Sequence, residues 1–519
     1  MSTANNNPVK SRPDSFLRKS LRFSTSTVIS RLLGLVREQV FSQFFGAGAS
    51  VDAFFAAFRI PNLLREFFAE GALSAAYVPV FSQRLKDSGK EKAFLLTSTV
   101  LSVLLVILGV ITILGIIFAP YIVKVIAAGF ADRPGEIQLT THLTRVMFPF
   151  LIFVAMAAAV MGTLNCFGRF GLPALAPVGF NIGLIVAGLF FRKFFEPPII
   201  AMAWGALVGG ILQLVIQLPQ LFKLGFRFKF IFSFADRSVR QIIRLMGPAA
   251  IGVAAAQVNI VVGTLLASFL QVGSIAYLNY AFRLMHLPLG VFGIAVATVS
   301  LPELSSLAAE GRQDELLSRY IRSCKMQLTF LLPSALFLIV AARPICALIY
   351  QHGKFGWVDS VNAGMALQAY AAGLIFFGLV RLSAQVFYAY KNTATPVKIA
   401  AISVGFNVVA SLLLMKPLGF AGLALAPGIA ALANLSMLGF TIRRKVGHPG
   451  YGSLLKHLLK LLISAAAGSI AIYFILNHFG DYAKFAGAFN ALYHLGLAFG
   501  TGLGIFAIIG LALGVLKRQ

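Results

Sequence analysis

Apolar runs long enough to cross a bilayer, each closed by a short polar segment, recur along almost the whole of this chain. A helix needs about 20 residues to span ~30 Å of hydrocarbon. Fourteen runs meet that length, at 22–45, 53–82, 94–119, 139–164, 171–192, 198–222, 241–269, 276–302, 320–342, 361–389, 396–415, 420–442, 454–477 and 487–515. They predict an all-α integral membrane protein of fourteen transmembrane helices. The loops between them differ in charge by turns. Loop 46–52 has no Lys or Arg, whereas 83–93 has Arg84, Lys86, Lys90 and Lys92. Loop 223–240 is basic and 270–275 is not; further basic clusters lie at 310–325 and 443–460, and at Lys517-Arg518. All of these clusters fall on the side of the N-terminus. Cytoplasmic loops collect Lys and Arg, so both termini are expected in the cytoplasm.

Composition narrows the class. Of 519 residues, 58% are hydrophobic and 12% charged, with mean hydropathy +0.85, too little charge for a water-soluble surface. The 44 Lys and Arg against 17 Asp and Glu give a net charge of +27. Nucleic acid would suit such an excess, but no soluble basic domain is present to bind it, and loop bias accounts for most of the surplus. Residues 1–20 are polar and basic and run straight into the first apolar segment, so no cleavable leader is expected. Cys166, Cys324 and Cys346 are widely spaced, and the seven histidines lack a ligand-like spacing, so neither a disulfide nor a metal site is expected.

Short motifs return at one offset. Val178-Gly179-Phe180-Asn181 recurs as Val404-Gly405-Phe406-Asn407, 226 residues on. Ala57-Phe58-Arg59 recurs as Ala281-Phe282-Arg283 after 224, and Val78-Pro79 has a counterpart in Leu301-Pro302 after 223. Three matches at one offset read as a duplication of a six-helix unit. The expected plan is a tail at 1–21, an N-lobe at 22–222, a basic loop at 223–240, a C-lobe at 241–445, and two extra helices within 446–519. Repeats of this kind commonly meet at a substrate site, which points to a transporter. Gly496, Gly500, Gly504, Gly510 and Gly514 in the last helix read as a packing stripe.

The remaining charge lies inside apolar spans, where each residue costs roughly 2.5–3.5 kcal/mol at the bilayer centre. Span 1 places Ser24, Thr27, Arg31, Gly34 and Glu38 on one helical stripe. Span 2 does the same with Arg59, Asn62, Glu66, Glu70 and Ser74, with Arg65 beside the ridge, and span 8 has Arg283 and His286. Two readings stay open. Arg31, Arg37 and Arg65 could pair internally with Glu38, Glu66 and Glu70. Alternatively, arginines in excess of acids line a hydrated cavity for an anionic substrate, since the guanidinium fork matches phosphate. Pro61 and Pro288 would kink their helices, either as static bends or as gating points.

Several stretches resemble the MurJ/MviN family of lipid II flippases, in the multidrug/oligosaccharidyl-lipid/polysaccharide exporter superfamily. They are Ser30-Arg31-Leu32-Leu33-Gly34-Leu35-Val36-Arg37, Asp52-Ala53-Phe54-Phe55, Pro61-Asn62-Leu63-Leu64-Arg65 and Phe68-Ala69-Glu70-Gly71-Ala72, with Arg283-Leu284-Met285, Gly353-Lys354-Phe355 and Thr395-Pro396-Val397-Lys398. The resemblance implies two six-helix lobes with a V-shaped cationic cavity, and a groove for the polyprenyl tail formed by helices 13 and 14. The family's essential cavity arginines fall on Arg31, Arg37, Arg65 and Arg283, as pyrophosphate-binding residues. Its acidic positions fall on Glu38, Asp52 and Glu70, and Arg59 and Asn62 join them as supporting cavity or gate residues. Phe282 and His286 depart from some relatives that have an acid there. Some relatives have a sodium site of acids in the C-terminal lobe; spans 11 and 12 offer only Asn407 and Asn434.

The expected function is therefore transfer of lipid II, an undecaprenyl-pyrophosphate-linked disaccharide-peptide, from the cytoplasmic to the outer leaflet by alternating access through a central cationic cavity. The alternative is an exporter of another polyprenyl-linked oligosaccharide, or of drugs. An enzyme would need clustered carboxylates or a nucleophile set, and none is visible. No cofactor or metal is expected; membrane potential is the expected energy source, and no bound ion is assigned. The expected partners are lipid II and membrane lipids, around a monomer that associates with cell-wall synthesis machinery in the bacterial inner membrane.

Overall fold

The computed structural model describes residues 30, 32–67, 72–478 and 488–516. Among these the secondary structure is helical, and ten helices are long and apolar enough to cross a membrane. The chain opens with α1 (32–45) and α2 (Ala49–Arg65), then α3 (Ala72–Ile117), α4 (Ala119–Ile126), α5 (Glu136–Met147), α6 (Phe150–Cys166), α7 (Gly171–Val186), α8 (Ile200–Val215) and α9 (Leu218–Lys223). It continues with α10 (Arg237–Ser268), α11 (Ser274–Pro288), α12 (Ile294–Ala309), α13 (Gln313–Tyr350), α14 (Trp357–Ala372), α15 (Leu374–Ala389), α16 (Ala394–Lys445), α17 (Tyr451–His478) and α18 (Ala488–Ala512).

Two of these helices are too long to be single crossings. At 1.5 Å per residue the 52 residues of α16 would reach about 78 Å, more than twice the hydrocarbon thickness. Gly419 breaks it with φ 56° and ψ −135°, two residues after Pro417. A Cβ placed on Gly422 would overlap the Leu414 carbonyl, although residues eight apart in a straight helix are ~12 Å apart. The chain therefore folds back on itself at this break. Helix α3 has a similar interruption at Gly89, with φ 78° and ψ 176°.

By proximity the described residues form two units. One holds Ala57–Ile122 and Thr140–Val253 with the chain up to Phe41; the other holds Ser42–Ala56, Val123–Leu139 and Ala254–Gln519. The core of the first unit packs α3 against α6 through Leu73, Tyr77, Phe81, Leu96, Leu151 and Val160. Its polar knot is the buried Tyr77 hydroxyl, 2.9 Å from Thr97 Oγ1 and 2.7 Å from Thr163 Oγ1, so a core tyrosine keeps its hydrogen bonds. In the second unit α13 is central. Leu316, Tyr320, Cys324 and Leu328 meet Leu382 and Val386 of α15 and Leu461 and Ile472 of α17.

Between α9 and α10 the chain is extended. Its amides at Lys229 and Ile231 donate to Ser98 Oγ and Ser102 Oγ of α3 at 3.4 and 3.0 Å. Alternate side chains along it are Phe228, Phe230, Phe232 and Phe234, all exposed. An aromatic row beside a membrane helix, with Arg227 and Lys229 interleaved, suits the headgroup boundary.

Two features recur at the offset of the repeated motifs. Asn181 Nδ2 of α7 donates to the Ser30 carbonyl at 3.1 Å, and Asn407 Nδ2 of α16 donates to Asn259 Oδ1 of α10 at 3.1 Å. A widened helical turn begins at Glu66 and again at Leu289, 223 residues later, each following a helix that contains proline.

The glycine stripe of the last helix departs from expectation. A Cβ on Gly496, Gly500, Gly504 or Gly514 would meet nothing within 4 Å. The close approach of α17 and α18 is made instead by Gly468 and Gly502, where a Cβ on Gly468 would sit 2.5 Å from the Gly502 carbonyl oxygen. Four-residue spacing alone does not say which face of a helix meets its neighbour.

Candidate functional site: cations within membrane helices

Of the expected arginines of the first unit, Arg37 lies on α1 and Arg65 at the end of α2, and each of these two has an acid beside it. Arg37 Nη2 is 2.5 Å from Glu38 Oε1, and the guanidinium stands 5.7 Å from the centre of the Phe180 ring of α7. Glu38 is buried. Cation–π contact on one side and a carboxylate on the other hold the arginine's planar head in one orientation. One turn and more along α2, Arg65 Nε donates to Asn62 Oδ1 at 3.0 Å, and Asn62 Nδ2 donates to Glu66 Oε1 at 3.2 Å. Arg65 Nη2 lies 3.9 Å from Glu66 Oε1. Arg59 is half-buried one turn before Asn62, so 59, 62 and 66 share the stripe read from their spacing. Arg31 and Glu70 lie outside the described residues. The structure thus joins Arg37 to Glu38, and Asn62 to Arg65 and Glu66. Internal pairing with an acid is therefore present at both Arg37 and Arg65.

Asp52 has a different setting. It is fully buried, and its two carboxylate oxygens accept the amides of Gly273 at 2.7 Å and Ala276 at 2.8 Å. These are the first amides of α11, which have no intrahelical acceptor, so Asp52 caps that helix from a distant part of the chain. Gly273 itself has φ 90°, and a Cβ on it would come within 2.5 Å of the Ala47 carbonyl oxygen. Only glycine suits that position. The Tyr280 hydroxyl donates to the Gly46 carbonyl at 2.9 Å, and the Lys354 amide to the Gln43 carbonyl at 2.8 Å, so segment 42–56 is fastened at three points within the second unit.

Helix α11, capped in this way, presents Arg283 and His286, both exposed. His286 Nδ1 is 3.0 Å from the Phe282 carbonyl oxygen, and its ring lies 4.0 Å from that of Phe282. Arg381 of α15 is exposed too and within electrostatic reach of His286. Sequence reasoning passed over Arg381. The available signal was a lone arginine in the apolar run 374–389, where an unneeded charge is expensive.

Among the described residues no group of three or more His, Cys, Asp or Glu could hold a metal ion. The side-chain oxygens of Asn407 and Asn434 are buried with no hydrogen-bond partner. Each is a neutral carbonyl oxygen of the kind that hard cations accept as a ligand. Arg37 and Arg65 thus stand half-buried beside acids on α1 and α2, whereas Arg283 and Arg381 are exposed on α11 and α15.

Comparison with known proteins places this arrangement. A family model described as lipid II flippase MurJ matches residues 41–495, most of the chain. The chain belongs to the MurJ family. A probable lipid II flippase MurJ of Vibrio cholerae is 35% identical over 430 residues, covering 81% of this chain and 82% of the relative. The lipid II flippase MurJ of Burkholderia cenocepacia is 34% identical over 434 residues, covering 82% and 84%. A solved structure of a lipid II flippase MurJ in an inward closed conformation superposes with a TM-score of 0.80 at 29% identity, over 96% of this chain and 99% of that one. An inward-facing MATE transporter of the MOP superfamily aligns with a TM-score of 0.68 at 16% identity, over 82% of this chain and 98% of that one, a likeness of fold alone. The ten apolar helices make this MurJ family member a multi-pass membrane protein.

Proposed function

We propose that this protein flips lipid II from the cytoplasmic to the outer leaflet of the bacterial inner membrane, as a transporter and not an enzyme. Membership of the MurJ family supports the substrate, and the observation that carries the reading is the set of arginines on membrane helices: Arg37 and Arg65, oriented by Phe180 and Asn62, and the exposed Arg283. A diphosphate is a dianion with several acceptor oxygens, which guanidinium forks match two at a time. Arg31, Arg59 and Glu70 complete the proposed set. The polyprenyl tail stays in the bilayer while the head group crosses by alternating access.

The finer plan belongs to the same proposal: fourteen helices, two six-helix lobes from a duplication at 22–222 and 241–445, helices 13 and 14 as a lipid-tail groove, and both termini cytoplasmic. The matching Asn181 and Asn407 bonds and the widened turns at Glu66 and Leu289 support the duplication. The protein works as a monomer beside the cell-wall synthesis machinery, without a cofactor, and is driven by membrane potential. The test is depletion of the protein in cells while lipid-linked precursors on each face of the membrane are measured. Lipid II should build up on the cytoplasmic face; accumulation of a different polyprenyl-linked oligosaccharide, or of none, would transfer the role to the exporter reading.

A further inference from the structure

The second unit has another basic concavity, on different residues from the arginines above. A pocket of about 540 Å³ lies where the first turns of α13 face the His448-Pro449-Gly450 turn that leads into α17. The α13 residues that line it, from Asp314 to Lys325, step along one stripe at helical spacing. Leu317 and Ile321 are buried and form an apolar floor. The turn closes tightly on that floor, since a Cβ on Gly447 would lie 3.0 Å from Leu317 Cδ1. Arg322 and Lys325 stand on one wall, with His448 and Ser453 on the other.

Charge is segregated along this pocket. Its carboxylate, Asp314, is eleven residues before Lys325, or ~16 Å along the helix axis. The opposite end therefore has two cations close together, one turn apart. Gly450 and Ser453, at the start of the 28-residue helix α17, also line the pocket, and the dipole of that helix adds positive character. Arg443, Arg444 and Lys445, just before the turn, and Lys456, early in α17, are exposed and raise the local concentration of anions.

We propose that this pocket binds a phosphate group, held by Arg322 and Lys325 and backed by the α17 turn. The apolar floor at the end of a membrane-spanning helix suits the phosphodiester of an anionic phospholipid headgroup; a free phosphate offers the same oxygens to the same cations. Binding here goes beyond the transport reading and does not depend on it.

The experiment uses the full chain purified in a neutral detergent, with phosphatidylglycerol or inorganic phosphate added and bound ligand read by native mass spectrometry. Arg322→Gln/Lys325→Gln should weaken binding about tenfold or more, the scale of losing charge-assisted hydrogen bonds. Arg443→Gln/Arg444→Gln, an equal change in net charge outside the pocket, should leave most of it intact. Pocket-dependent phosphatidylglycerol that inorganic phosphate does not displace identifies a lipid headgroup; pocket-dependent inorganic phosphate identifies a free phosphate ligand. Equal binding by wild type and pocket variant, equal loss in the control variant, or no binding to wild type overturns the proposal. If the double variant does not fold, Lys325→Gln and His448→Gln are read separately by the same criteria.

Discussion

A guanidinium in a membrane helix must have polar company, and Arg37 shows how that company complicates its role. Its partner Glu38 is buried, so Arg37→Ala would strand a carboxylate, and breaking such a pair costs ~3–5 kcal/mol. A loss of activity in that variant therefore mixes folding with function. The double variant Arg37→Ala/Glu38→Gln separates them: protein abundance should return while complementation of a flippase-depleted cell stays lost. For Arg65 and Arg283, replacement by Ala should lower complementation roughly 10–100-fold at normal abundance, the scale of one or two charge-assisted hydrogen bonds. Lys should restore only part, because an ammonium lacks the fork. Arg381→Ala belongs in the same series. Wild-type complementation by all four replacements would remove the arginines from substrate handling.

At the level of helices, Asp52 is the clearest case of a residue whose partner the sequence hides. Its place in a short motif marked it as important, but the amides it accepts are more than 220 positions away, a distance over which no spacing rule operates. Loss of the cap should cost about 0.5–2 kcal/mol, and the stranded amides more. Asp52→Ala should therefore lower the thermal midpoint of the purified protein, Asp52→Asn should lower it less, and Gly273→Ala should lower it through its positive φ and its clash with Ala47. An unchanged midpoint together with lost complementation would move Asp52 from the scaffold to the transport cycle. The apolar runs themselves were easy to read because membrane helices must satisfy their own backbone. The stripe of Asn62 and Glu66 was legible for a similar reason, since three- and four-residue steps fix neighbours on one helix. The glycines that meet, Gly468 and Gly502, were not, because choosing a face requires the neighbouring helix.

For the protein as a transport cycle, the open matter is the source of energy. A potential negative inside favours outward movement of negative charge by about 2.3 kcal/mol per unit charge per 100 mV. Asn407 and Asn434 offer buried neutral oxygens, and among the described residues no group of three or more His, Cys, Asp or Glu could hold a metal ion. In reconstituted vesicles an imposed potential should therefore accelerate lipid II transfer, and an imposed sodium gradient at zero potential should not. Transfer that follows sodium alone would direct attention to Asn407, and Asn407→Leu should then abolish the sodium response.

The reversal at Gly419 has a consequence for how the chain is made. Lys416, Pro417, Leu418 and Gly419 are nearly all that separates the two arms of α16, so the connection is too short to wait outside the bilayer while the second arm is synthesised. The two arms must enter the lipid together, as one preformed hairpin. Biogenesis of this region is then a single insertion event, decided by the summed hydrophobicity of some fifty residues, and a charge introduced into either arm would put both at risk.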